Sequence, residues 1–363
     1  MAPQVVNYQC PNCTGPLHFI AQSGQLECDY CGSKFDVAVV QQLYADKEQE
    51  AASAGTAPRW DVSAAGGAWS AEEAAHLRAY SCPSCAAELI CDDTTAATSC
   101  PYCGNPTVVP GQLSGQLKPD YVIPFRLDKD AAIEALKKYY KGKKLLPKAF
   151  GAANHIEEVK GIYVPFWLFD GESNAAMRFR GTKVKTYTLG EYRVTETDHY
   201  RVTRECEVAF EKVPVDGSSK MPNAHMDAIE PFHYGELKPF STAYLPGFLA
   251  DKYDEDAEAC SVRANDRILA TTERALAATA GGYSTLTREY SSINLKKGDI
   301  HYALLPVWML STKWKGRDFL FAMNGQTGKL IGDLPVDKAR YWGWFMGIAL
   351  PIAAVLAALF FLL

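Results

Sequence analysis

Two cysteine quartets constrain this chain more than any other feature. Cys10-Pro-Asn-Cys13 is followed after 14 residues by Cys28-Asp-Tyr-Cys31, and Cys82-Pro-Ser-Cys85 is followed after 14 residues by Cys100-Pro-Tyr-Cys103. All four positions recur at an offset of 72, and Leu17/Leu89 and Gly32/Gly104 carry the repeat beyond the thiols. A Cys-x-x-Cys turn aims two thiolates at one ion, and a following glycine reaches positive φ so that backbone amides face the sulfurs. Two such knuckles on short hairpins complete a tetrahedral site. The expectation is two small β ribbons, residues 1–36 and 80–110, each holding one Zn2+: the first by Cys10, Cys13, Cys28 and Cys31, the second by Cys82, Cys85, Cys100 and Cys103. A rubredoxin-type iron site is the alternative. Stretches this short cannot hold a fold by an apolar core alone, so the metal is required for folding. Cys91, Cys206 and Cys260 have no partner at ligand spacing; Cys91 replaces Phe19 in the repeat and reads as a small core residue.

The second constraint is the stretch Trp342 to Leu363, 22 residues without a charged side chain. As a helix it reaches about 33 Å, enough to cross a hydrocarbon core of roughly 30 Å. Soluble helices carry a polar face, and this one has none. Lys338 and Arg340 precede it, and Tyr341, Trp342 and Trp344 lie at the depth of an interfacial aromatic belt, so the positive-inside rule predicts a cytoplasmic body with a terminal anchor in the cell membrane. Pro351 is expected to kink the span.

The compartment decides how the thiols are read. The N-terminal MAPQVVNYQC lacks the basic and apolar regions of a signal peptide, and 11 cysteines in a reducing cytoplasm indicate metal before disulfides. With 48% hydrophobic and 22% charged residues the chain is folded, globular material with room for two or three domains. Its net charge of −5 argues against nucleic acid or an anionic lipid surface as the main partner. The ribbons agree: residues 1–36 carry Lys34 against Glu27, Asp29 and Asp36, and residues 80–117 carry no Lys or Arg against Glu88, Asp92 and Asp93. Phosphate contacts need cations. Structural zinc with a protein-facing surface is the reading, and a membrane-tethered nucleic-acid-binding factor, related to transcription or replication, is the alternative.

Between the ribbons, residues 37–79 read as a helix (Val37 to Ala52), a flexible Ala/Gly/Ser linker (Ser53 to Ala68) and a short helix to Tyr80 opened by the capping box Ser70-Ala-Glu-Glu73. Trp60 and Trp69 are unusual in a linker; they read as packing residues, or as a short motif for a partner. Residues 118–337 form a mixed α+β body. Asp128 caps a helix through Lys141, stopped by Gly142, and a second helix runs from about Asp256 to Ala280, stopped by Gly281-Gly282. The apolar run Gly161 to Asp170 is a buried strand with Pro165 at an edge or bulge, Met177 to Val213 alternates as long antiparallel strands, and Val213 to Gly217 closes the sheet with a turn. Pro165-Phe-Trp167 is echoed by Pro306-Val-Trp308, which suggests a duplication over 118–215 and 250–335, each half a helix followed by antiparallel strands. A last hairpin turns at Asn324-Gly325.

No catalytic constellation emerges, and the chain reads as a non-enzyme. Asn324-Gly-Gln-Thr-Gly-Lys329 departs from a phosphate loop because Leu330 fills the Ser/Thr position and strands flank it. His225, Asp227, Glu230 and His233 are close enough in sequence to form a site, but dispersed histidines are more often structural. Asp251 to Glu258 lacks calcium-loop spacing and reads as an acidic helix start.

Together the twin ribbons, IYVPFWLFDG, VPVDGSSKM, MDAIEPF, AYLPGFLADKYD and LLPVW…FAMNGQTGKLIGDLP before a terminal span resemble the bacterial membrane proteins described as TFIIB-type zinc-ribbon-containing. That family is similar to the ribbon-bearing membrane partner of phage-shock protein A and SPFH-domain proteins in Gram-positive envelope-stress systems. The resemblance implies a scaffold that recruits protein partners, with zinc at the eight cysteines and no active site.

Overall fold

The structure, a computed structural model, describes residues 10–11, 16–21, 23–42, 60–95, 99–105, 109–111, 117–151, 156 and 158–362. Most of the expected first helix and the linker up to residue 59 lie outside the described residues; residues 37–42 are helical. The chain divides into two units. One comprises residues 1–59, 172–208 and 270–296, the other residues 60–171, 209–269 and 297–363.

In the first unit, β1 (Leu17–Ile20), β2 (Gln25–Cys28) and β3 (Lys34–Asp36) form a three-stranded antiparallel sheet, the first ribbon. The segment 60–68 differs from the expected linker. β4 (Trp60–Asp61) lies parallel to residues 298–299, Ala65 is buried, and Trp60 sets its ring edge-on to Phe169 while its indole N–H donates to Asn265 (3.0 Å). The two tryptophans are the reason: both rings are worth more buried than in water, and Trp69 packs edge-on to Phe240. Helix α1 (Ala71–Ala75) begins with the expected capping box, Glu73 N–H to Ser70 Oγ at 3.1 Å and Ser70 N–H to Glu73 Oε2 at 3.2 Å. It stops well short of Tyr80, because residues 77–81 are claimed as a strand.

That strand, β5 (Leu77–Ser81), pairs with β6 (Glu88–Asp92) and β7 (Val109–Gly111), the second ribbon. β8 (Tyr121–Val122) leads to α2 (Lys129–Tyr140), whose Asp128 cap accepts from Ala131 N–H at 2.9 Å and whose Ala132 and Leu136 are fully buried. Lys141 caps its C-terminus, and Gly142 follows at φ +82°. Two long strands come next, β9 (Lys160–Leu189) and β10 (Tyr192–Asp216), joined through Gly190 at φ +63°. Val213 to Asp216 continues β10, with Val215 and Asp216 buried, so the expected turn begins only at Gly217, where a side chain would strike the Trp167 indole. Then follow α3 (Asn223–Ile229), β11 (Lys238–Pro239), β12 (Leu249–Asp251), α4 (Ala257–Thr279), β13 (Thr285–Leu295), β14 (Gly298–Trp314), β15 (Arg317–Asn324), β16 (Leu330–Gly332) and α5 (Lys338–Leu362).

In the second unit the strands lie in the order β11-β8-β14-β9-β12-β6-β5-β7. β9 and β14 are its antiparallel centre, and the two Pro-x-Trp runs face each other there, with Pro165 opposite Leu304 and Pro306 opposite Tyr163. β12 runs parallel to β9 at Leu249/Ile162 and Ala250/Tyr163, and β8 runs parallel to β14 at Tyr121/Ala303 and Val122/Leu304. Pro165 lies just past the β12 pairing, where its missing N–H costs no ladder bond. In the first unit, residues 173–182 of β9 pair with β13, and Ala175, Met177 and Phe179 face Leu276 and Ala280.

α5 is long and apolar enough to cross a membrane and none of its apolar window is buried. Pro351 stands inside the helix, which continues to Leu362.

Candidate metal centres

Cys82, Cys85, Cys100 and Cys103 converge, with their Sγ atoms within 4.8 Å of one another. Cys82 lies 3.6 Å from Cys103, and Cys85 lies 3.6 Å from Cys100. Four sulfurs each about 2.3 Å from one tetrahedral ion stand roughly 3.8 Å apart, whereas a disulfide needs about 2.05 Å. The donor set therefore fits a tetrahedral metal ion. The knuckles repeat one backbone pattern: Cys82 N–H to Ala87 O (2.9 Å) and Ala86 N–H to Cys82 O (2.8 Å), Cys100 N–H to Asn105 O (2.8 Å) and Gly104 N–H to Cys100 O (3.0 Å). This turn requires positive φ at its last residue, met by Gly104 at +69° and, without a glycine, by Ala86 at +57°.

The amides of Cys85 and Ser84 face the Cys82 sulfur and overcome its burial, bringing that thiol down to about 7. Burial pushes Cys85 up to about 11 and Cys100 well above the ordinary range. A divalent cation would supply the missing positive charge and hold all four as thiolates.

The first quartet is described for three members. Cys10, Cys28 and Cys31 lie within 4.8 Å of one another, with Cys10 and Cys31 3.6 Å apart, and Cys13 lies outside the described residues. The same knuckle recurs, Cys28 N–H to Ser33 O and Gly32 N–H to Cys28 O, both 3.0 Å, with Gly32 at φ +65°.

The two sites differ in what surrounds them. Ribbon two is no separate module, since β12 pairs with β6 at Ala250/Ile90 and Asp251/Leu89, and Cys82 and Cys100 belong to the main apolar core with Ile162, Val164 and Leu305. Two polar ties bind it further. Tyr102 donates to Asp251 at 2.5 Å, on the oxygen that also accepts from Ser218 at 2.6 Å, and Lys160 donates to the Ser99 carbonyl at 2.9 Å. Asp251 is fully buried and pushed up to about 7. Sequence reasoning missed this carboxylate because Tyr102 and Asp251 are 149 residues apart. Only the CPYC tyrosine, a polar aromatic between two ligands, hinted at it.

The histidine group does not assemble. His225 Nε2 lies 3.2 Å from Asp333 Oδ2 but out of hydrogen-bond alignment. Asp227 and Glu230 turn to Arg267 at 3.3 and 2.5 Å, and His233 donates its backbone N–H to Gln326 at 2.7 Å. The Asn324 to Lys329 segment is a turn, closed by Asn324 N–H to Lys329 O at 2.8 Å, with the buried Asn324 accepting from Gln326 and Thr327. Of the unpaired cysteines, Cys91 and Cys260 are buried and Cys206 is half-buried.

No family model and no solved structure matches the chain. It is 36% identical over 345 residues to the uncharacterized protein YdjG of Bacillus subtilis (strain 168), covering 95% of this chain and 94% of that one. At that identity and coverage, the chain belongs to the same protein family as YdjG.

Proposed function

We propose that this protein is a non-enzymatic adaptor, held at the inner face of the cell membrane by α5 and carrying two structural Zn2+ ions, which recruits cytoplasmic partner proteins through its first ribbon. The observation that carries this reading is the contrast between the ribbons. The second is closed into a core, whereas the first is a three-stranded sheet that leaves Phe19 58% and Tyr30 79% exposed. Exposed aromatics on a small, metal-stiffened sheet suit a protein partner, and their sheet carries no cationic cluster for phosphate. Tethering concentrates a weakly bound partner at the bilayer. The resemblance drawn from the sequence makes phage-shock protein A and SPFH-domain proteins the first partners to test, in an envelope-stress setting.

The same reading takes the body as duplicated. Tyr121 of β8 and Asp128, the N-cap of α2, match Leu249 and Asp256 at an offset of 128, while Ile162, Pro165 and Trp167 match Ala303, Pro306 and Trp308 at 141. Each short strand then pairs with the long strand of the other half at equivalent positions. Of the 13-residue difference in offset, 11 correspond to the longer second helix, 23 residues against 12.

The test is affinity capture from solubilised membranes with the full chain and with Phe19→Ala plus Tyr30→Ala, metal content being checked in both. Loss of specific partners with zinc retained supports the adaptor. An unchanged set of partners would sink it.

A further inference from the structure

The net charge of −5 conceals a segregated patch. Lys137, Lys138, Lys141, Lys143, Lys144 and Lys148 stand within twelve residues, and neither Asp nor Glu occurs between Glu134 and Glu157. The fold carries this stretch to the first turns of α5. Asp337 N–H donates to Leu145 O at 2.8 Å, Arg340 donates to Leu146 O at 2.6 Å, and the Lys144 ammonium sits 4.1 Å from the centre of the Trp344 ring. The β14–β15 hairpin joins the same region. Phe150 packs edge-on to both Trp314 and Phe319, beside Lys313, Lys315 and Arg317 at the hairpin tip.

These cations rest on aromatic rings more than on acids. Lys143 lies 4.3 Å from the Tyr139 ring centre, Lys315 5.9 Å from that of Trp314, and Arg317 6.0 Å from that of Phe319. Among the described residues none of the six lysines of the 137–148 stretch has a carboxylate at ion-pair distance, while Lys313 has Asp318 at 3.9 Å. A solvated basic surface would more often intersperse acids. Alternating cations and aromatic rings suit the headgroup layer, where the ring occupies the interface and the cation meets phosphate.

We propose that this lysine collar is a binding surface for anionic phospholipid headgroups, which seats the second unit against the bilayer around its own helix. The inference rests on the reading of α5 as a membrane span. If Trp344 lies at interfacial depth, Lys144 stands at headgroup depth, and the bonds from Asp337 N–H and the Arg340 guanidinium to the Leu145 and Leu146 carbonyls hold the neighbouring lysines close by. The anionic cytoplasmic leaflet attracts such a cluster, each lysine near the surface contributing about fivefold to local association, and the attraction decays within a Debye length.

The test uses the full chain reconstituted in phosphatidylcholine vesicles that contain a minor fraction of phosphatidylglycerol. Energy transfer from the native tryptophans to fluorophore-labelled phosphatidylglycerol is compared with transfer to labelled phosphatidylcholine, for wild type and for Lys143→Gln, Lys144→Gln, Lys148→Gln. The expected result is a preference for the anionic lipid that molar salt weakens and that the triple variant loses, with metal content unchanged. Equal preference in the two proteins, or one insensitive to salt, overturns the collar. Alkaline carbonate extraction of the same vesicles separates the two readings. A chain released by carbonate that still prefers anionic lipid refutes the span and upholds the collar, and a retained chain without preference does the reverse.

Discussion

The buried carboxyl of Asp251 makes the stability of the second unit depend on pH, in a direction opposite to ordinary acid denaturation. Burial is the main cause that pushes this group up to about 7, and donation from Ser218 and Tyr102 only partly counters it. In the unfolded chain it titrates near its ordinary value of 3.8. Between those values the folded protein holds a proton that the unfolded chain has released. This contribution is therefore fully present below about 4 and is lost as pH rises towards 7. Three pH units at about 1.4 kcal/mol each set an upper figure of ~4 kcal/mol, of which ~3 kcal/mol falls between pH 5 and 8. Asp251→Asn removes the titration and keeps an oxygen to accept from Tyr102 and Ser218. Urea unfolding of the full chain in a neutral detergent, followed by tryptophan fluorescence, measures both proteins across that range. Ligand thiolates also titrate, but equally in both, so the difference isolates Asp251. Wild type should lose ~3 kcal/mol relative to Asp251→Asn as pH rises from 5 to 8. A flat difference would show that the carboxyl titrates at its ordinary value, and the argument from burial would be wrong.

Three other substitutions or treatments follow from the same geometry. Ala86→Gly relieves the one knuckle among the described residues that reaches positive φ without glycine and should stabilise the second site by ~1 kcal/mol, read as a higher urea midpoint or slower metal loss to a chelator. Gly298→Ala places a methyl group against the Asp170 carbonyl and the Trp60 ring and should cost ~2–3 kcal/mol in the same unfolding assay. Metal removal should act unequally. Chelation of the second site should disrupt near-UV dichroism from Tyr102 and Phe166, which share its core, while Cys28→Ser plus Cys31→Ser should leave that signal intact.

The cysteine spacing, the aspartate cap of α2, the capping box at Ser70 and the long apolar helix were legible because each depends on residues close together in the chain. A two-thiolate turn or an N-cap is a local geometric demand, and local sequence meets it. What misled was context. The capping box at Ser70 starts a helix expected to run to Tyr80, yet pairing with β6 claims residues 77–81, and a segment rich in Ala and Gly is drawn into packing by Trp60 and Trp69.

From sequence alone, then, came the cysteine clusters that could hold metal, the apolar helix and the main α+β elements, all set by spacing and short-range capping. Only the tertiary structure decided that one ribbon is part of a core while the other is a sheet with exposed aromatics. It alone brought Tyr102 to Asp251 and Lys144 to Trp344. Those relations depend on strand pairing between segments more than a hundred residues apart, where register is fixed by burial of the whole sheet rather than by any local pattern.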